Sequence, residues 1–254
     1  MPDIEVRDLA PDCPRLGAAM VRDVQIVVAR DAEELAKLAA QWLARRIRSA
    51  VRLRGECRLA FSGGSTPVAM FDALTTLSVP WSQVSVFQVD ERVAPNGDPS
   101  RNANQLTKHL FHHVGIRQEQ QFLMPVTETP LVRAAHDYAA LIGAARLDIV
   151  HLGLGDDGHT ASWPPNDPVL DAPCDVAITA EFNGRVRMTL TRRPVNQARC
   201  RLVQVAGEGK SERVVEWLSG RPDLPIQAVR RTGTTLILDR AAAAALPPSL
   251  LDAE

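Results

Sequence analysis

The segment GLGDDGHTAS at 153–162 places a histidine beside carboxylates in a loop that contains three glycines. An imidazole titrates near neutral pH and can take a proton from water, and a carboxylate two residues away can orient its other nitrogen. We therefore predict that His159 is a general base with Asp157 as its partner. The alternative interpretation is a turn rich in Asp and Gly with an incidental histidine.

The segment FSGGSTP at 61–67, called here the 61–67 turn, leaves an apolar run through two glycines and enters a helical pattern. Ser65 or Thr66 is the predicted N-cap, and Pro67 is the predicted first helical residue. Free backbone N–H groups, hydroxyls and the helix dipole would together suit a phosphate. An ordinary strand-to-helix turn with a good cap explains the same residues equally well.

Two further segments bring charge to strand ends. Asp90, Glu91 and Arg92 follow the apolar run VSVFQV, and the planar guanidinium of Arg92 suits a phosphate or a developing oxyanion. Taken alone, three consecutive charges still favour a solvated loop. Lys210 in GEGK would add a point charge to a phosphate site, although lysines at helix starts are common surface residues.

Helical and strand patterns alternate along the chain. The segment from Asp31 predicts an amphipathic helix with Asp31 as N-cap and Glu34 at the capping-box position. Short apolar runs bounded by Gly, Asp or charge predict buried strands at 58–61, 84–89, 147–154, 201–206 and 234–239. Further helices are predicted at 67–77, 102–113, 131–145 and 211–218, with a last helix at 241–245 ended by Pro247 and Pro248.

This alternation predicts a Rossmann-like α/β fold, with a mainly parallel sheet and helices on both faces. We see no repeat period and no low-complexity linker, so we expect a single domain over residues 1–254. Loops that leave the carboxyl ends of parallel strands lie along one edge, where ligands bind. The charged and glycine-rich segments should therefore converge, in a site for hydrolysis or isomerisation of a small phosphorylated molecule.

The composition argues against nucleic-acid and membrane partners. The chain contains 29 Lys plus Arg and 30 Asp plus Glu, so no long-range field would attract an anionic polymer or bilayer. Aromatic residues make up only 4% of the chain, which leaves little material for stacking on bases. The sequence has no apolar stretch of roughly 18 residues and no apolar run near its N-terminus, so we expect an unexported, soluble protein.

The cysteines and histidines predict neither a cofactor nor a required metal. Four scattered cysteines without a CxxC pair favour a reducing cytoplasm over a zinc site or a disulfide framework. His109 and His113 are four residues apart, but no carboxylate is spaced with them as in HExxH, so a helix surface is favoured. His151 lies within an apolar strand pattern and is interpreted as a core histidine.

With these segments in order, the chain resembles the 6-phosphogluconolactonase family, whose members hydrolyse 6-phospho-D-glucono-1,5-lactone to 6-phosphogluconate in the oxidative pentose phosphate pathway. The resemblance covers most of the sequence, and it implies a fold shared with the amino-sugar-phosphate deaminases. The matching segments are FSGGSTP (61–67), VDERVAP (89–95), GLGDDGHTAS (153–162), RMTLT (187–191), GEGK (207–210) and LPIQAVR (224–230).

The resemblance also implies roles for individual residues. His159 would be the general base, Asp157 its partner and Arg92 a catalytic substrate contact. The residues expected to bind the phosphosugar are Ser62, Gly63, Gly64, Ser65, Thr66, Asp90 and Lys210. The chain departs from the family pattern at Asp156, where proline is frequent, at Arg101, where serine is usual, and at Trp163 in TASWPP, which replaces the common TASLFP.

Two alternatives remain open at this stage. An amino-sugar-phosphate deaminase would resemble DGHIAFNEP, with an acid five residues after the histidine, but Pro164 stands there and Arg92 replaces the tyrosine of that group's DEY. A phosphosugar-binding regulator would need the 61–67 turn but not His159 with Asp157, and no DNA-binding segment is visible. A lactonase assay with a His159→Ala variant separates these possibilities.

Overall fold

The computed structural model describes residues 19–21 and 23–247. The helices are α1 (Ala32–Arg54), α2 (Thr66–Thr75), α3 (Asn102–Leu106), α4 (Leu131–Gly143), α5 (Arg192–Gln197) and α6 (Ser211–Ser219). The strands are β1 (Ala19–Val21), β2 (Val24–Ala29), β3 (Cys57–Phe61), β4 (Val84–Gln88), β5 (Asp90–Arg92), β6 (Gln121–Phe122), β7 (Ile149–Leu152), β8 (Val176–Ile178), β9 (Arg187–Leu190), β10 (Cys200–Val205) and β11 (Thr234–Asp239).

The main sheet has the strand order β1-β2-β11-β10-β7-β3-β4-β6. All neighbouring strands in it are parallel except β1, which pairs antiparallel with β2 at one edge. Parallel strands need a cover on both faces, and their continuous apolar sequences reflect this burial. The predicted α/β class with a mainly parallel sheet is confirmed.

Two apolar clusters cover the two faces of this sheet. On one face, side chains of α1, α2 and the 106–111 segment pack against alternate strand residues such as Leu59, Ile149 and Leu202. On the other face, α4, α6 and residues near Trp163 pack against the intervening residues, including Val150 and Val203. The alternation follows because successive side chains of a strand point to opposite faces. No helix in the described ranges is long and apolar enough to cross a membrane.

Helix α1 begins as its sequence predicts. Asp31 is the N-cap, and its side chain accepts a hydrogen bond from the Glu34 main-chain N–H at 2.8 Å. The Glu34 carboxylate reaches one residue further back than a standard capping box requires, and accepts from the main-chain N–H of Arg30 at 2.7 Å. The helix ends at Gly55, whose φ of +80° suits a residue without a Cβ.

A second, three-stranded antiparallel sheet has the order β5-β9-β8 and was not predicted from the sequence. Val89 joins the two sheets, because its N–H donates to Phe61 in the main sheet and its carbonyl accepts from Leu190 in the small one. The run VSVFQVDER therefore belongs to both sheets in succession. The alternative of a solvated loop at 90–92 does not hold, since these residues form β5 and Glu91 is fully buried.

Two helix predictions need correction. Residues 241–245 form consecutive turns instead of a helix, because the Asp239 carboxylate accepts from Ala242 N–H and the chain turns back over the buried Ala242 and Ala243. Pro248, predicted to end that helix, lies outside the described residues. The helix predicted at 102–113 is α3, which continues as a π-helical turn over Thr107–Phe111.

The central strands contain a buried polar pair, His151 of β7 and Gln204 of β10. His151 Nε2 lies 3.1 Å from Gln204 Oε1, and since an amide oxygen only accepts, Nε2 holds the proton. His151 is 1% exposed and its ring makes an edge contact with Phe61. Burial lowers the pKa of His151 to about 4, against the opposing effect of the hydrogen bond with Gln204.

Because His151 is buried with a lowered pKa, we expect the free energy of unfolding to fall in mild acid. Between about pH 6.5 and about pH 4 the unfolded chain binds the His151 proton and the folded chain does not, so stability falls as the pH falls. The unfolding free energy of the wild type should therefore be lower at about pH 5 than at about pH 7. We expect His151→Gln to make this difference smaller by roughly 1–2 kcal/mol. Urea denaturation at the two pH values measures it.

The matched control is His136→Gln, because the His136 side chain is 84% exposed. Its unfolding free energy should follow the wild-type pH dependence. If His151→Gln also loses as much stability as the wild type over this range, His151 is not the residue responsible.

Candidate active site

A cavity of about 210 Å³ lies at the carboxyl edge of the main sheet. Segments predicted separately from the sequence meet in it: the 61–67 turn, Asp90 and Arg92, the loop after β7, and Lys210. The convergence follows from the parallel topology, since β3, β4, β7 and β10 all end at this edge.

The 61–67 turn is shaped by its two glycines. A Cβ on Gly63 would lie 1.9 Å from Asn102 Oδ1, so only glycine leaves room for the asparagine. Gly64 has a φ of +122°, and its N–H donates to Gln105 Oε1 at 3.0 Å. The turn is therefore held against the start of α3 by side chains that the sequence did not single out.

The beginning of α2 differs from the predicted cap. Thr66 is the first helical residue and Pro67 the second, so the predicted position of Pro67 was wrong by one residue. Ser65 occupies the N-cap position, but its side chain makes no capping hydrogen bond and its backbone is already helical. The N–H groups of this N-terminus are thus not capped by Ser65, which suits an anion with the helix dipole behind it.

The Glu91 carboxylate organises the segment after β4. Its Oε1 accepts from the main-chain N–H groups of Arg92 and Asn102, each at 2.8 Å, and its Oε2 accepts from Ala103 N–H at 2.8 Å. Gln88 donates a further hydrogen bond to Oε2, and Arg101 Nε lies 3.4 Å from it. A fully buried carboxylate thus caps α3, which is why a charged triplet fits inside the fold.

Two arginines face the cavity side by side. Arg92 of β5 and Arg187 of β9 are direct cross-strand partners, so their side chains leave the small sheet on the same face. Arg92 Nη1 donates to Ser100 O at 2.9 Å and contacts Asn102 Oδ1. Burial lowers the pKa of Arg187, and the positive charge of Arg92 adds to this. An anion bound between the two guanidinium groups would offset the repulsion between their positive charges.

A chain of hydrogen bonds connects Arg187 to Asp90. Ser162 Oγ donates to Asp90 Oδ2 at 2.6 Å and receives a long contact of 3.5 Å from Arg187 Nη1. Asn102 Nδ2 donates to the Asp90 carbonyl at 2.9 Å. Asp90 lines the cavity but is only 5% exposed, so its carboxylate mainly fixes neighbouring groups.

The loop after β7 holds His159 over a glycine. A Cβ on Gly155 would lie 2.0 Å from His159 Nδ1, so the imidazole occupies the space that any other residue would fill. Gly155 N–H donates to the His159 carbonyl at 2.8 Å, which closes the loop. Gly158 has a φ of +82° and packs against Leu224, which favours glycine at a second position.

Asp157 contacts His159 through two hydrogen bonds. Its Oδ1 lies 2.5 Å from His159 Nδ1 and accepts from the His159 main-chain N–H at 3.0 Å. Burial raises the pKa of the Asp157 carboxyl, but these hydrogen bonds and the charge of His159 outweigh it and lower the pKa. The ionised carboxylate can only accept, so Nδ1 holds the proton and Nε2 is left as the basic nitrogen.

Several buried polar atoms that belong to cavity-lining residues have no hydrogen-bonding partner among the described residues. They are Ser62 Oγ, His151 Nδ1, Gln204 Nε2 and Arg187 Nε. Buried polar groups are normally satisfied, so such a concentration is typical of a site that binds a polar ligand. His151 is therefore buried, as predicted, and also lines the cavity.

Nine of the predicted site residues line one cavity: Ser62, Gly63, Gly64, Ser65, Thr66, Asp90, Arg92, His159 and Lys210. Asp157 is not among the lining residues and contacts His159 from behind. Sequence reasoning missed Arg187, Asn102 and Phe182, whose ring meets the His159 ring edge-on at 5.1 Å. For Arg187 a signal existed, an arginine inside the apolar strand pattern RMTL. The roles of all these residues stay predictions.

A second cavity of about 350 Å³ lies at the opposite, amino edge of the sheet. It is lined by Arg146, Asp175 and Arg230 together with apolar and amide side chains. Its lining includes no histidine, and its carboxylate, Asp175, is paired with Arg193 at 2.6 Å.

The histidines of the 102–113 segment have no metal-site geometry. His109 Nδ1 lies 2.9 Å from Asp72 Oδ1, and His113 Nε2 lies 3.0 Å from Lys108 O. In the part of the chain that the structure describes, no three His, Cys, Asp or Glu side chains converge as metal ligands would. Metal independence stays a prediction, which a chelator tests.

Fold and site together define an α/β protein with a cavity at the carboxyl edge of its main sheet that is lined by arginine, lysine and histidine side chains and by the 61–67 turn. The family described as glucosamine-6-phosphate isomerases/6-phosphogluconolactonase matches residues 30–238. A 6-phosphogluconolactonase of Pseudomonas putida is 32% identical over 207 residues, which are 78% of this chain and 86% of that protein.

Two further comparisons extend this result. The human GDH/6PGL endoplasmic bifunctional protein is 37% identical over 207 residues, which are 76% of this chain but only 26% of that longer protein. The crystal structure of a 6-phosphogluconolactonase from Thermotoga maritima superposes with a TM-score of 0.77 over 84% of this chain and 98% of that one. At 23% identity, the structural likeness shows the fold.

The chain belongs to the glucosamine-6-phosphate isomerase/6-phosphogluconolactonase family. The resemblance derived from its motifs is confirmed, and so is the expected relation to the amino-sugar-phosphate enzymes, since one family description covers both.

The packing of His159 on Gly155 yields a test of the site geometry. We expect Gly155→Ala to displace the imidazole, because the new methyl group would overlap Nδ1. The displacement should break the contact with Asp157, and the NMR signals of the His159 ring should shift accordingly.

Gly153→Ala is the matched control, since a Cβ there meets nothing within 4 Å. Its His159 signals should stay at the wild-type positions. Unchanged ring signals in Gly155→Ala would contradict the described packing.

Proposed function

We propose that this protein hydrolyses 6-phospho-D-glucono-1,5-lactone to 6-phosphogluconate, with water activated by His159. The observation that supports this most is His159, which contacts Asp157 at 2.5 Å and lines one cavity with two arginines and the start of α2. A base, an oxyanion site and an anion site are the three elements that hydrolysis of a phosphorylated lactone requires.

The enzyme class, 6-phosphogluconolactonase, rests on curated relatives of that name. The Pseudomonas putida and Rhizobium meliloti proteins are 32% and 33% identical, and each aligns with 78% of this chain. A place in the oxidative pentose phosphate pathway follows from this reaction.

His159 takes the proton from water in the proposed mechanism. Asp157 holds the proton on Nδ1 and fixes the ring, so that Nε2 faces the water as general base. A lactone is an activated cyclic ester, and therefore an oriented water and charge stabilisation suffice without a covalent nucleophile or a metal. The lowered pKa of Asp157 keeps this partner ionised in mild acid.

The arginine pair stabilises the negative charge that develops on the lactone carbonyl oxygen. Arg187 lies against the Phe182 ring, 4.9 Å from its centroid, and His159 meets the same ring from another side. This shared contact places Arg187 at the same end of the cavity as the base. Arg92 Nη1 is already engaged by Ser100 and Asn102, whereas Arg187 Nε has no partner within the described residues.

The phosphate binds against the 61–67 turn and Lys210. Main-chain N–H groups at the start of α2, the helix dipole and the lysine charge all favour a dianion there. An anchored phosphate holds the sugar ring so that C1 faces His159. The binding energy of the phosphate is thereby used to orient the reacting carbon. We expect the anchor to affect turnover as well as affinity.

A small phosphosugar is thus the proposed ligand, with no cofactor and no nucleic-acid or membrane partner. A cytoplasmic location stays a prediction from the scattered cysteines and the N-terminal sequence. The deaminase alternative gains no support, because the position five residues after His159 is the buried Pro164. The binding-only alternative is tested by the following assay.

The decisive assay generates the lactone in situ and follows acid release above the spontaneous rate. We expect wild-type protein to accelerate it, and His159→Ala to reduce kcat by about 10²–10⁴-fold through loss of the general base. His136→Ala, at an exposed site, is the control and should keep full activity. If the wild-type protein does not accelerate acid release, the proposed function is wrong. If His159→Ala keeps full activity, the proposed mechanism is wrong.

The same assay with a chelator tests the metal-free mechanism. Rates before and after incubation with the chelator should be equal, because His159 and the arginines supply the catalysis. A strong loss that added divalent metal restores would overturn this part of the proposal.

Arg187 is tested by a methionine substitution, which keeps much of the apolar stem. We expect Arg187→Met to lower kcat/KM by about 10²–10³-fold, as for loss of one oxyanion donor. Arg185→Met is the control, because Arg185 is on the same hairpin but pairs with Asp98 at 3.2 Å, away from the cavity lining. Equal effects of the two substitutions would show that Arg187 has no specific role.

A further inference from the structure

Asp156 forms an ion pair with the lysine that is expected to bind phosphate. Its Oδ1 lies 2.5 Å from Lys210 Nζ. The side chain of Lys210 is mostly buried and lines the cavity, whereas that of Asp156 is 82% exposed and is not part of the lining. The carboxylate thus holds the ammonium group from the outer rim of the cavity.

A carboxylate and a phosphate compete for the same ammonium group. A lysine is a compact point charge, and a second anion brought to it is attracted by the ammonium but repelled by the carboxylate already there. Assuming the proposed function, we infer that Asp156 competes with the substrate's phosphate for Lys210 and sets a weaker affinity for phosphorylated ligands than the cavity would otherwise have.

The position of Asp156 favours competition with the phosphate for Lys210 over a role in holding the lysine or the loop in place. The carboxylate is almost fully in water, so it regains hydration when the pair opens, and such exposed pairs are weak. The main chain holds the loop independently of this side chain, because the Asp156 carbonyl accepts from Arg213 Nε at 2.8 Å and Gly155 pairs with His159. The side chain also lies beside Gly209, with Oδ1 3.9 Å from where a Cβ would be, an ordinary van der Waals distance.

The test is Asp156→Asn, which keeps the shape and removes the charge. We measure the Kd of 6-phosphogluconate, the product, by calorimetry, and KM for the lactone. Both should fall by about two- to fivefold, the range expected for an exposed ion pair, and kcat should change less than KM. The gain in affinity should shrink at high ionic strength.

Asp171→Asn is the matched control. Its carboxylate is also 82% exposed and also pairs with a cation, Arg192, at 3.5 Å, but it is not among the residues that line the cavity. It should leave Kd and KM unchanged. An equal gain in both variants would show a general charge effect and overturn the proposal.

Lys210→Met shows whether Asp156 acts through the lysine. In that background Asp156→Asn should give little or no gain, whereas a full gain there would overturn competition for Lys210. Unchanged binding in the single Asp156→Asn variant would overturn it too, and weaker binding would overturn it and make Asp156 a positioning residue. If the wild type hydrolyses the lactone in these cases, only this inference fails; if it neither hydrolyses the lactone nor binds 6-phosphogluconate, the proposed function fails as well.

Discussion

The hydrogen bonds accepted by the buried Glu91 carboxylate fix the geometry on which the rest of the site depends. They hold the start of α3 against β5, and this places Asn102 between Gly63 and Arg92. A buried carboxylate is costly unless its oxygens are satisfied, and here main-chain N–H groups, Gln88 and Arg101 satisfy them. One charge in the interior therefore couples the 61–67 turn to the arginine pair.

Local patterns in the sequence were enough for five strands of the main sheet, β3, β4, β7, β10 and β11, and for the meeting of the site segments, but not for β1, β2 and β6. The strand 234–239 coincides with its prediction, and α1 begins at the predicted cap, because both depend on periodicity and on side chains within one turn. The order of strands and helices then brought the 61–67 turn, Arg92 and His159 to one edge without any knowledge of contacts.

The features that escaped prediction depend on residues far apart in the chain. Val89 leads from the main sheet into the small sheet because Leu190, about a hundred residues later, donates its main-chain N–H to the Val89 carbonyl. The alanines at 241–245 have high helix propensity, yet Asp239 and the buried environment favour turns. The pairing of Arg187 with Arg92 and the contact of Asp156 with Lys210 each join residues far apart in the chain, so local sequence patterns do not show them.

The separate hydrogen bonding of the two sheets makes the site modular. The main sheet supplies the 61–67 turn and the His159 loop, while the small β5-β9-β8 sheet supplies both guanidinium groups. The two units meet at Val89 and through the Glu91 carboxylate, so the guanidinium groups keep a fixed position relative to the 61–67 turn although each belongs to its own sheet. In the proposed mechanism the main sheet thus supplies the phosphate site and the small sheet the groups around the lactone carbonyl, so the part that recognises the substrate and the part that stabilises the reacting group come from different sheets.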